Sequence, residues 1–367
     1  MDFGVPWLIL GVPQGLVVVV TGGCGFLGSH LVRLLLEKEP ELRELRIFDL
    51  NIDPSVVPPG HESKVRLFRG DVSRRGAVGE VLGGAHLVFH AASLVDVWGG
   101  SSPEAIARVN VQGTKNVIWG CQDRGVPVLI YTSSMEVVGP NTRGDPFVRG
   151  DEETPYPTRH SEPYPLSKAQ AERLVLEANG APVRGGSRLV TVSLRPTGIF
   201  GERHPLLELF YRRGRGLGGR LPLTLPPNAE HGRVYAGNVA WMHILAARAA
   251  LSHPGSVGGD SFFCCDLSPS LPYEEFNLSL LGLSPSPAPR PPPALLALLA
   301  KLNSALRALL GPLGWGFTPL LNPYTLAVAS TPFTVRTQRA RSKFGYQPIY
   351  SWEQARDRTR EWLAQLG

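Results

Sequence analysis

The chain has 367 residues, of which 43% are hydrophobic and 19% are charged, and its formal net charge is +6. These proportions exclude a disordered chain and allow a large core in one or two domains. The positive charge is scattered apart from an arginine-rich run at residues 212–220, so a solvated surface is favoured over a nucleic-acid interface and we expect no nucleic-acid partner.

The beginning of the chain, residues 1–15, is apolar but has no basic region. We interpret it as an unusual leader or a loosely packed tail rather than a signal peptide.

The four cysteines show no metal-ligand spacing, so no metal site is expected. The adjacent Cys264 and Cys265 would form a strained disulfide, which favours a reducing compartment.

Short β-branched runs alternate with helical segments between residue 16 and about residue 200. Such alternation predicts a Rossmann-type doubly wound parallel sheet, which we assign to residues 16–200 as an NAD-binding domain. Beyond it the sequence is rich in Pro, Gly and Leu, and 201–367 is predicted to form a smaller, irregular substrate-binding region. The runs predicted as buried parallel strands are 16–20, 45–49, 65–69, 86–90, 128–134 and 189–195.

A glycine-rich loop, TGGCGFLG, follows the first predicted strand and precedes the first helix. Gly22, Gly25 and Gly28 would allow a tight turn and a close approach of backbone N–H groups to a pyrophosphate. The helix beginning at Phe26 and Leu27 would add a partial positive charge. A plain turn is the alternative, but the position at the first strand–helix junction favours a dinucleotide site.

Two aspartates follow the next two predicted strands. A carboxylate at Asp49, at the end of the second strand, would accept hydrogen bonds from ribose hydroxyls and repel a 2′-phosphate, so NAD is favoured over NADP. An exposed acid at a strand end is the alternative. Asp71 follows the third strand and would either contact the adenine or cap a turn.

A hydroxyl, a phenol and an amine are spaced as a proton-transfer group. Ser134 follows the fifth strand, and Tyr164 lies one helical turn before Lys168, in a helix that Pro163 and Pro165 place close to its start. A lysine ammonium and an oxidised nicotinamide would favour the phenolate of Tyr164, so that it could accept the proton of a substrate alcohol. Ser134 would orient the alcohol oxygen, and Lys168 would also reach the cofactor ribose.

These residues resemble a known family. The glycine loop, Asp49, HAAS at 90–93, NVQGTKNV at 110–117 and the Ser134, Tyr164 and Lys168 set look like an extended short-chain dehydrogenase/reductase. The segments LVDVWG, YTSSMEVVGPN, HGRVYAGNVAWMHILAA, LLNPYTLAVASTPFTV and FGYQPIYSWEQA are similar to those of the 3β-hydroxysteroid dehydrogenase/delta-5-delta-4 isomerases. The resemblance covers nearly the whole chain from about residue 16.

The resemblance implies NAD-dependent oxidation of the 3β-hydroxyl of a 7α-hydroxylated delta-5 sterol, as in bile acid synthesis, followed by movement of the double bond into conjugation. The alternatives are a dehydrogenase/isomerase for nineteen- or twenty-one-carbon steroids, a 4-carboxysterol decarboxylating dehydrogenase, a nucleotide-sugar epimerase and a non-catalytic NAD sensor. A sensor is disfavoured because both Tyr164 and Lys168 are present.

The same resemblance bears on isomerisation, location and assembly. Asp266 matches an acid that is linked to isomerisation in relatives, but Phe262 stands where they carry a tyrosine, and Leu166 replaces a residue that is often polar.

Relatives are anchored at the endoplasmic reticulum membrane, which favours a membrane-associated role for the leucine-rich segment 294–310. Its polar stripe, Lys301, Ser304 and Arg307, would by periodicity also suit a core helix. The chain is also expected to form a homodimer.

Overall fold

A computed structural model describes residues 14–141, 143–310 and 317–366, so the predicted leader lies almost wholly outside the described residues. The strands are β1 (Leu16–Thr21), β2 (Leu42–Asp49), β3 (Val65–Arg69), β4 (Leu87–His90), β5 (Val128–Thr132), β6 (Phe147–Gly150), β7 (Val190–Pro196), β8 (Gly198–Phe200), β9 (Arg220–Leu221), β10 (Arg233–Tyr235), β11 (Ser261–Cys264), β12 (Ser284–Pro285) and β13 (Phe333–Val335). The helices are α1 (Phe26–Lys38), α2 (Arg75–Val81), α3 (Pro103–Ala107), α4 (Gly113–Arg124), α5 (Pro163–Glu177), α6 (Pro205–Gly216), α7 (Ala236–Ser252), α8 (Pro254–Val257), α9 (Tyr273–Leu281), α10 (Pro293–Leu310), α11 (Pro323–Ser330), α12 (Gln338–Phe344) and α13 (Trp352–Ala364).

A seven-stranded parallel sheet forms the centre of the molecule, in the order β11-β7-β5-β4-β1-β2-β3. The predicted fold class and all six predicted strands are therefore confirmed. Strands β1, β4 and β5 are fully buried because helices cover both faces of the sheet. The prediction of a buried strand is wrong for β3, which lies at the sheet edge and exposes Arg66, Leu67 and Arg69.

The seventh strand comes from the part of the sequence that was predicted to be irregular. β11 pairs with β7 in parallel, and α7 packs on α1 over one face of the sheet. The sheet therefore continues past residue 200, where the sequence analysis ended the NAD-binding domain. The remaining C-terminal elements include short two-stranded pairs and an aromatic cluster in which Phe200 contacts Phe276 and Trp352.

Helix α10 exposes most of its leucines, buries Leu296 and Ala300, and bonds to the protein through two of its polar side chains. Leu298, Leu302 and Leu309 are 54%, 54% and 71% exposed. In contrast, Asn303 Nδ2 donates to the carbonyl of Leu321, and Arg307 donates to the carbonyl of Trp98. By length and composition α10 could cross a membrane, and it is the one helix in the described ranges that meets this test.

Candidate active site

The glycine-rich loop has the close packing that a dinucleotide cradle requires. Gly22 has a φ of +71°, and a Cβ there would lie 2.7 Å from the backbone of Ala92. A Cβ on Gly28 would lie 1.9 Å from the carbonyl oxygen of Gly22. Since α1 begins at Phe26, the first N–H groups of the helix have no preceding helical carbonyl and remain available to an anion. The loop fits the pyrophosphate of a dinucleotide.

The predicted aspartates differ in their relation to this loop. Asp49 lies against it, because its Oδ2 accepts a hydrogen bond of 3.0 Å from the backbone N–H of Cys24. The Asp49 carboxylate is therefore held at the end of β2, where a ribose would lie. Asp71 instead accepts a 2.8 Å hydrogen bond from the backbone N–H of Ser73, so in this structure it caps a turn.

Helix α5 brings Tyr164 to a cavity wall that also includes Ser134. Pro163 occupies the first turn of α5, as the sequence predicts, and Tyr164 is 6% exposed. Burial raises the pKa of the Tyr164 phenol well above its usual value; the charge of Glu136 raises it further, and the Ser134 hydroxyl acts in the opposite direction. The structure therefore brings Ser134 and Tyr164 together, with the phenol in its neutral form.

Lys168 lies one turn along α5 and is buried behind this wall. Its Nζ donates a 2.5 Å hydrogen bond to the carbonyl of Thr132 and lies 4.5 Å from the centre of the Tyr131 ring. Burial lowers the pKa of Lys168 to about 7, although the carboxylate of Glu172 opposes this shift. Lys168 is therefore positioned by the end of β5, and near neutral pH both its protonated and its neutral form are accessible.

Two further polar groups of the site were missed by the sequence analysis. Glu136 lines the same wall, and it accepts a 2.7 Å hydrogen bond from the hydroxyl of Tyr324 in α11. Burial raises the pKa of the Glu136 carboxyl. Asn110 lies in a π-helical turn, Arg108–Gln112, and donates a 2.9 Å hydrogen bond to Ser167 beside Lys168. The position of Glu136 two residues after Ser134 was the available signal for that residue.

Asp266, the isomerase candidate, lies outside this group. Its carboxylate accepts hydrogen bonds from the backbone N–H groups of Tyr235 and Ser268 and from Asn238 Nδ2, at 2.8–2.9 Å. Phe262 is fully buried in the core. Neither Asp266 nor Phe262 is among the described residues that line the cavity containing Tyr164. The structure gives Asp266 the role of anchoring the start of α7.

The cavity has a volume of about 610 Å³ and a mainly apolar wall. This volume lies within the range of about 300–1,000 Å³ that is typical of small-molecule sites. Ser134, Glu136 and Tyr164 form a polar group in the wall. Apolar lining residues are Val95, Val97, Trp98, Leu206, Phe210 and Leu225. Such a wall suits a large apolar molecule that carries few polar groups.

The parallel sheet, the glycine-rich loop and the buried pair of Tyr164 and Lys168 are together typical of NAD-dependent oxidoreductases with a short-chain dehydrogenase fold. The chain has the features of this class. A solved dTDP-glucose 4,6-dehydratase from Streptomyces venezuelae with NAD bound has this fold (TM-score 0.69, 21% identity, 95% of this chain and 97% of that chain). MoeE5 in complex with UDP-glucuronic acid and NAD is similar (TM-score 0.67, 21% identity, 95% of this chain and 99% of that chain).

Sequence comparison then identifies the family. The pattern of the 3-beta hydroxysteroid dehydrogenase/isomerase family matches residues 19–285, and the chain belongs to this family. It is 54% identical over 353 residues to 3 beta-hydroxysteroid dehydrogenase type 7 from Mus musculus, covering 95% of both chains. It is 41% identical over 352 residues to 3 beta-hydroxysteroid dehydrogenase/Delta 5-->4-isomerase from Vaccinia virus (strain Western Reserve), covering 95% of this chain and 98% of the viral one. The chain is therefore an NAD-dependent oxidoreductase.

Proposed function

We propose that the enzyme oxidises the 3β-hydroxyl of 7α-hydroxylated delta-5 sterols to the 3-oxo-delta-4 product, in bile acid synthesis. The observation that carries this proposal is the large apolar cavity with Ser134 and Tyr164 in its wall. The similarity to type 7 3 beta-hydroxysteroid dehydrogenases supports the substrate class. In the overall oxidation, the carbinol carbon loses a hydride to NAD and the hydroxyl loses a proton to the protein.

Tyr164, acting as the phenolate, is the proposed acceptor of the hydroxyl proton, and Ser134 orients the substrate oxygen. The Gly22–Gly28 loop and Asp49 would hold oxidised NAD, which would supply the hydride acceptor and a positive charge. Because burial opposes ionisation of the Tyr164 phenol, the phenolate needs stabilisation by a positive charge close by. Lys168 contributes such charge one helical turn away, at a position fixed by the carbonyl of Thr132.

Glu136 is the proposed proton carrier for isomerisation. The step removes a proton from carbon 4 and delivers one to carbon 6, so it needs a group that is easily protonated and faces the substrate. Glu136 lines the cavity, and burial raises the pKa of its carboxyl toward the value that such a role requires. The role assigned to Asp266 from the sequence therefore passes to Glu136 in this proposal.

The proposed location is the endoplasmic reticulum membrane, with α10 lying against the lipid. The exposed leucines of α10 support this location, because a water-facing surface does not usually carry so many large apolar side chains on one helix. The polar contacts made by Asn303 and Arg307 fix α10 in this orientation.

The test is an incubation of the purified enzyme with NAD and a panel of delta-5 sterols that differ at carbon 7, at carbon 4 and in the side chain. We expect NADH and a conjugated enone from 7α-hydroxylated sterols. Preference for nineteen- or twenty-one-carbon steroids, or turnover only of 4-carboxysterols with release of carbon dioxide, would contradict the proposal. NAD binding without turnover of any sterol would indicate a sensor.

Substitution of Tyr164 tests the mechanism. Tyr164→Phe should lower kcat for NADH formation by about 10²- to 10⁴-fold, the usual contribution of general-base catalysis, and should leave NAD binding measurable by calorimetry. Tyr156→Phe is the matched control, because its hydroxyl donates to the carbonyl of Asp145 and Tyr156 is not among the described lining residues. Turnover retained by Tyr164→Phe would remove Tyr164 from the role of base.

A further inference from the structure

The cavity wall contains a buried cation that is not paired with any described carboxylate. Arg233, in β10, lines the cavity and is only 7% exposed. Its Nε and Nη2 are buried and have no hydrogen-bond partner among the described residues. No described carboxylate forms an ion pair with it. Because an unpaired buried charge is costly, this arrangement calls for an anion from outside the protein.

The surroundings of Arg233 hold the guanidinium in place without neutralising it. Its central carbon lies 4.2 Å from the centre of the Tyr273 ring and 5.0 Å from that of Phe276. The nearby imidazoles of His204 and His231 have pKa values lowered to about 4, by burial first and then by the charge of Arg233. Both imidazoles are therefore neutral at physiological pH and leave the charge of Arg233 uncompensated.

The two described carboxylates of the cavity wall form hydrogen bonds with groups other than Arg233. Glu274 accepts hydrogen bonds from the backbone N–H groups of Thr224 and Leu225, at 2.6 and 2.8 Å. Glu136 is bonded to Tyr324 on the side of the cavity that includes Tyr164. Arg233 lies instead against the rings of Tyr273 and Phe276 in α9.

We propose that Arg233 binds an anionic group, most simply a carboxylate, at the end of the sterol side chain, while the 3β-hydroxyl lies at Tyr164. This inference rests on the proposed sterol oxidation and adds a specificity-determining residue to it. A guanidinium binds a carboxylate through two parallel hydrogen bonds, and the two unpartnered nitrogens of Arg233 match that need. The apolar wall accommodates the ring system, and the charged end of the molecule is neutralised where it is buried.

The experiment compares two 7α-hydroxylated delta-5 sterols that are identical except that the side chain ends in a carboxylate or in a primary alcohol. Arg233→Met should raise KM for the acid by about 10- to 100-fold, the loss expected for charge-assisted hydrogen bonds, and should change KM for the alcohol by less than about threefold. Arg233→Lys should retain part of the preference for the acid, because it keeps the charge. Arg173→Met is the surface control, since Arg173 pairs only with Glu177 on an exposed face of α5.

A second measurement uses the wild type alone, in case Arg233→Met does not fold. The 3-oxo-delta-4 steroid acid should inhibit the enzyme at least about tenfold more strongly than its methyl ester, because the ester cannot pair with a guanidinium. Equal inhibition by acid and ester would overturn the inference, as would equal effects of Arg233→Met on the two substrates. A selective rise in KM for NAD would assign Arg233 to the cofactor pyrophosphate instead.

These outcomes remain separate from a failure of the proposed function. Oxidation of the alcohol substrate by the wild type supports sterol dehydrogenation whatever Arg233 does. If neither sterol is oxidised, the proposed function itself fails. If only the alcohol is oxidised, and the acid neither reacts nor inhibits, the assignment of Arg233 alone is overturned.

Discussion

Two carboxylates, Glu136 and Glu274, are among the described residues that line the cavity, and their environments differ. Glu274 accepts hydrogen bonds from the backbone N–H groups of Thr224 and Leu225, and it thereby stabilises that loop. Glu136 has a single described hydrogen-bond donor, Tyr324, and its charge acts on Tyr164. At the scale of single residues, Glu136 is therefore the carboxylate best placed to exchange a proton with a bound sterol.

This difference gives the first prediction at the residue scale. Glu136→Gln keeps the shape and the hydrogen bond to Tyr324 but cannot accept a proton, so the double-bond shift should slow by about 10²-fold or more. Rapid mixing would then show the unconjugated ketone accumulating before the enone absorbance appears. As the control, Phe262→Tyr should leave the ratio of the two steps unchanged, because Phe262 is buried in the core. A selective change in isomerisation in the Phe262 variant would contradict this assignment.

The second residue-scale prediction concerns Lys168 and pH. Its pKa is about 7 in the folded protein, against an ordinary value of 10.5, so between these values the unfolded chain binds the extra proton. The contribution of Lys168 to the free energy of unfolding should therefore rise with pH from about 7 to 10, by at most about 1.4 kcal/mol per pH unit. Urea unfolding of the wild type and Lys168→Met at pH 6.5, 8 and 9.5 would measure it. A difference between the two proteins that does not vary with pH would rule out the lowered pKa.

The residues of the candidate site that are related by local spacing could be predicted from the sequence, whereas those related by distant contacts could not. Ser134, Tyr164 and Lys168 were predicted because strand-end position and helical spacing are local properties. Glu136 was missed because its burial depends on Tyr324, which is 188 residues away in the chain. Asp266 was assigned by likeness, but its three hydrogen bonds, which hold the start of α7, arise only in the folded chain.

At the scale of elements, the orientation of α10 separates two interpretations that periodicity left equal. A core helix would bury its leucines and expose its polar stripe. In the structure most of the leucines are exposed, although Leu296 is buried. Arg307 of the polar stripe bonds to the carbonyl of Trp98, whereas Lys301 is exposed. Amphipathic spacing defines two faces but cannot tell which one contacts the protein, so the sequence alone could not decide between them.

A prediction for the element follows from these exposed leucines. Replacing Leu298, Leu302 and Leu309 together with Gln should release a large part of the protein from microsomal membranes, and should change the melting temperature little because these side chains are largely exposed. Flotation on a density gradient would measure the bound fraction.

The matched control replaces three apolar side chains that are exposed elsewhere, Val148, Leu217 and Leu267. This variant should float with the membranes as the wild type does. Equal release of both triple variants would show that membrane binding is not specific to α10, and unchanged binding of both would reject α10 as the main anchor.

At the scale of the whole molecule, the central sheet uses more of the chain than its sequence pattern indicates. The six predicted strands carry long β-branched runs, whereas β11 is only four residues long and follows Pro- and Gly-rich sequence. It becomes a strand because the edge of β7 is open to pairing and its residues Phe262 and Phe263 can be buried there. Both halves of the chain thus contribute strands to one sheet.

The position of α10 has a consequence for how the enzyme would meet its substrate. Arg307 of α10 and Asn322 beside α11 bond to the carbonyls of Trp98 and Val97, and both Val97 and Trp98 line the cavity. The helix that we propose to face lipid is thereby joined to the wall of the proposed sterol site, and in this proposal the substrate arrives by lateral diffusion within a lipid layer.

The relevant concentration of sterol would then be a mole fraction in the bilayer and not a bulk molarity. We expect the reaction rate to fall when phospholipid vesicles are added at constant total sterol and to stay constant when sterol and lipid rise together. Stopped assays over a series of vesicle compositions would measure this surface dilution, and a rate that follows only the total sterol would indicate uptake from water. For such an enzyme, turnover in the cell would be set as much by the composition of the surrounding bilayer as by the supply of sterol.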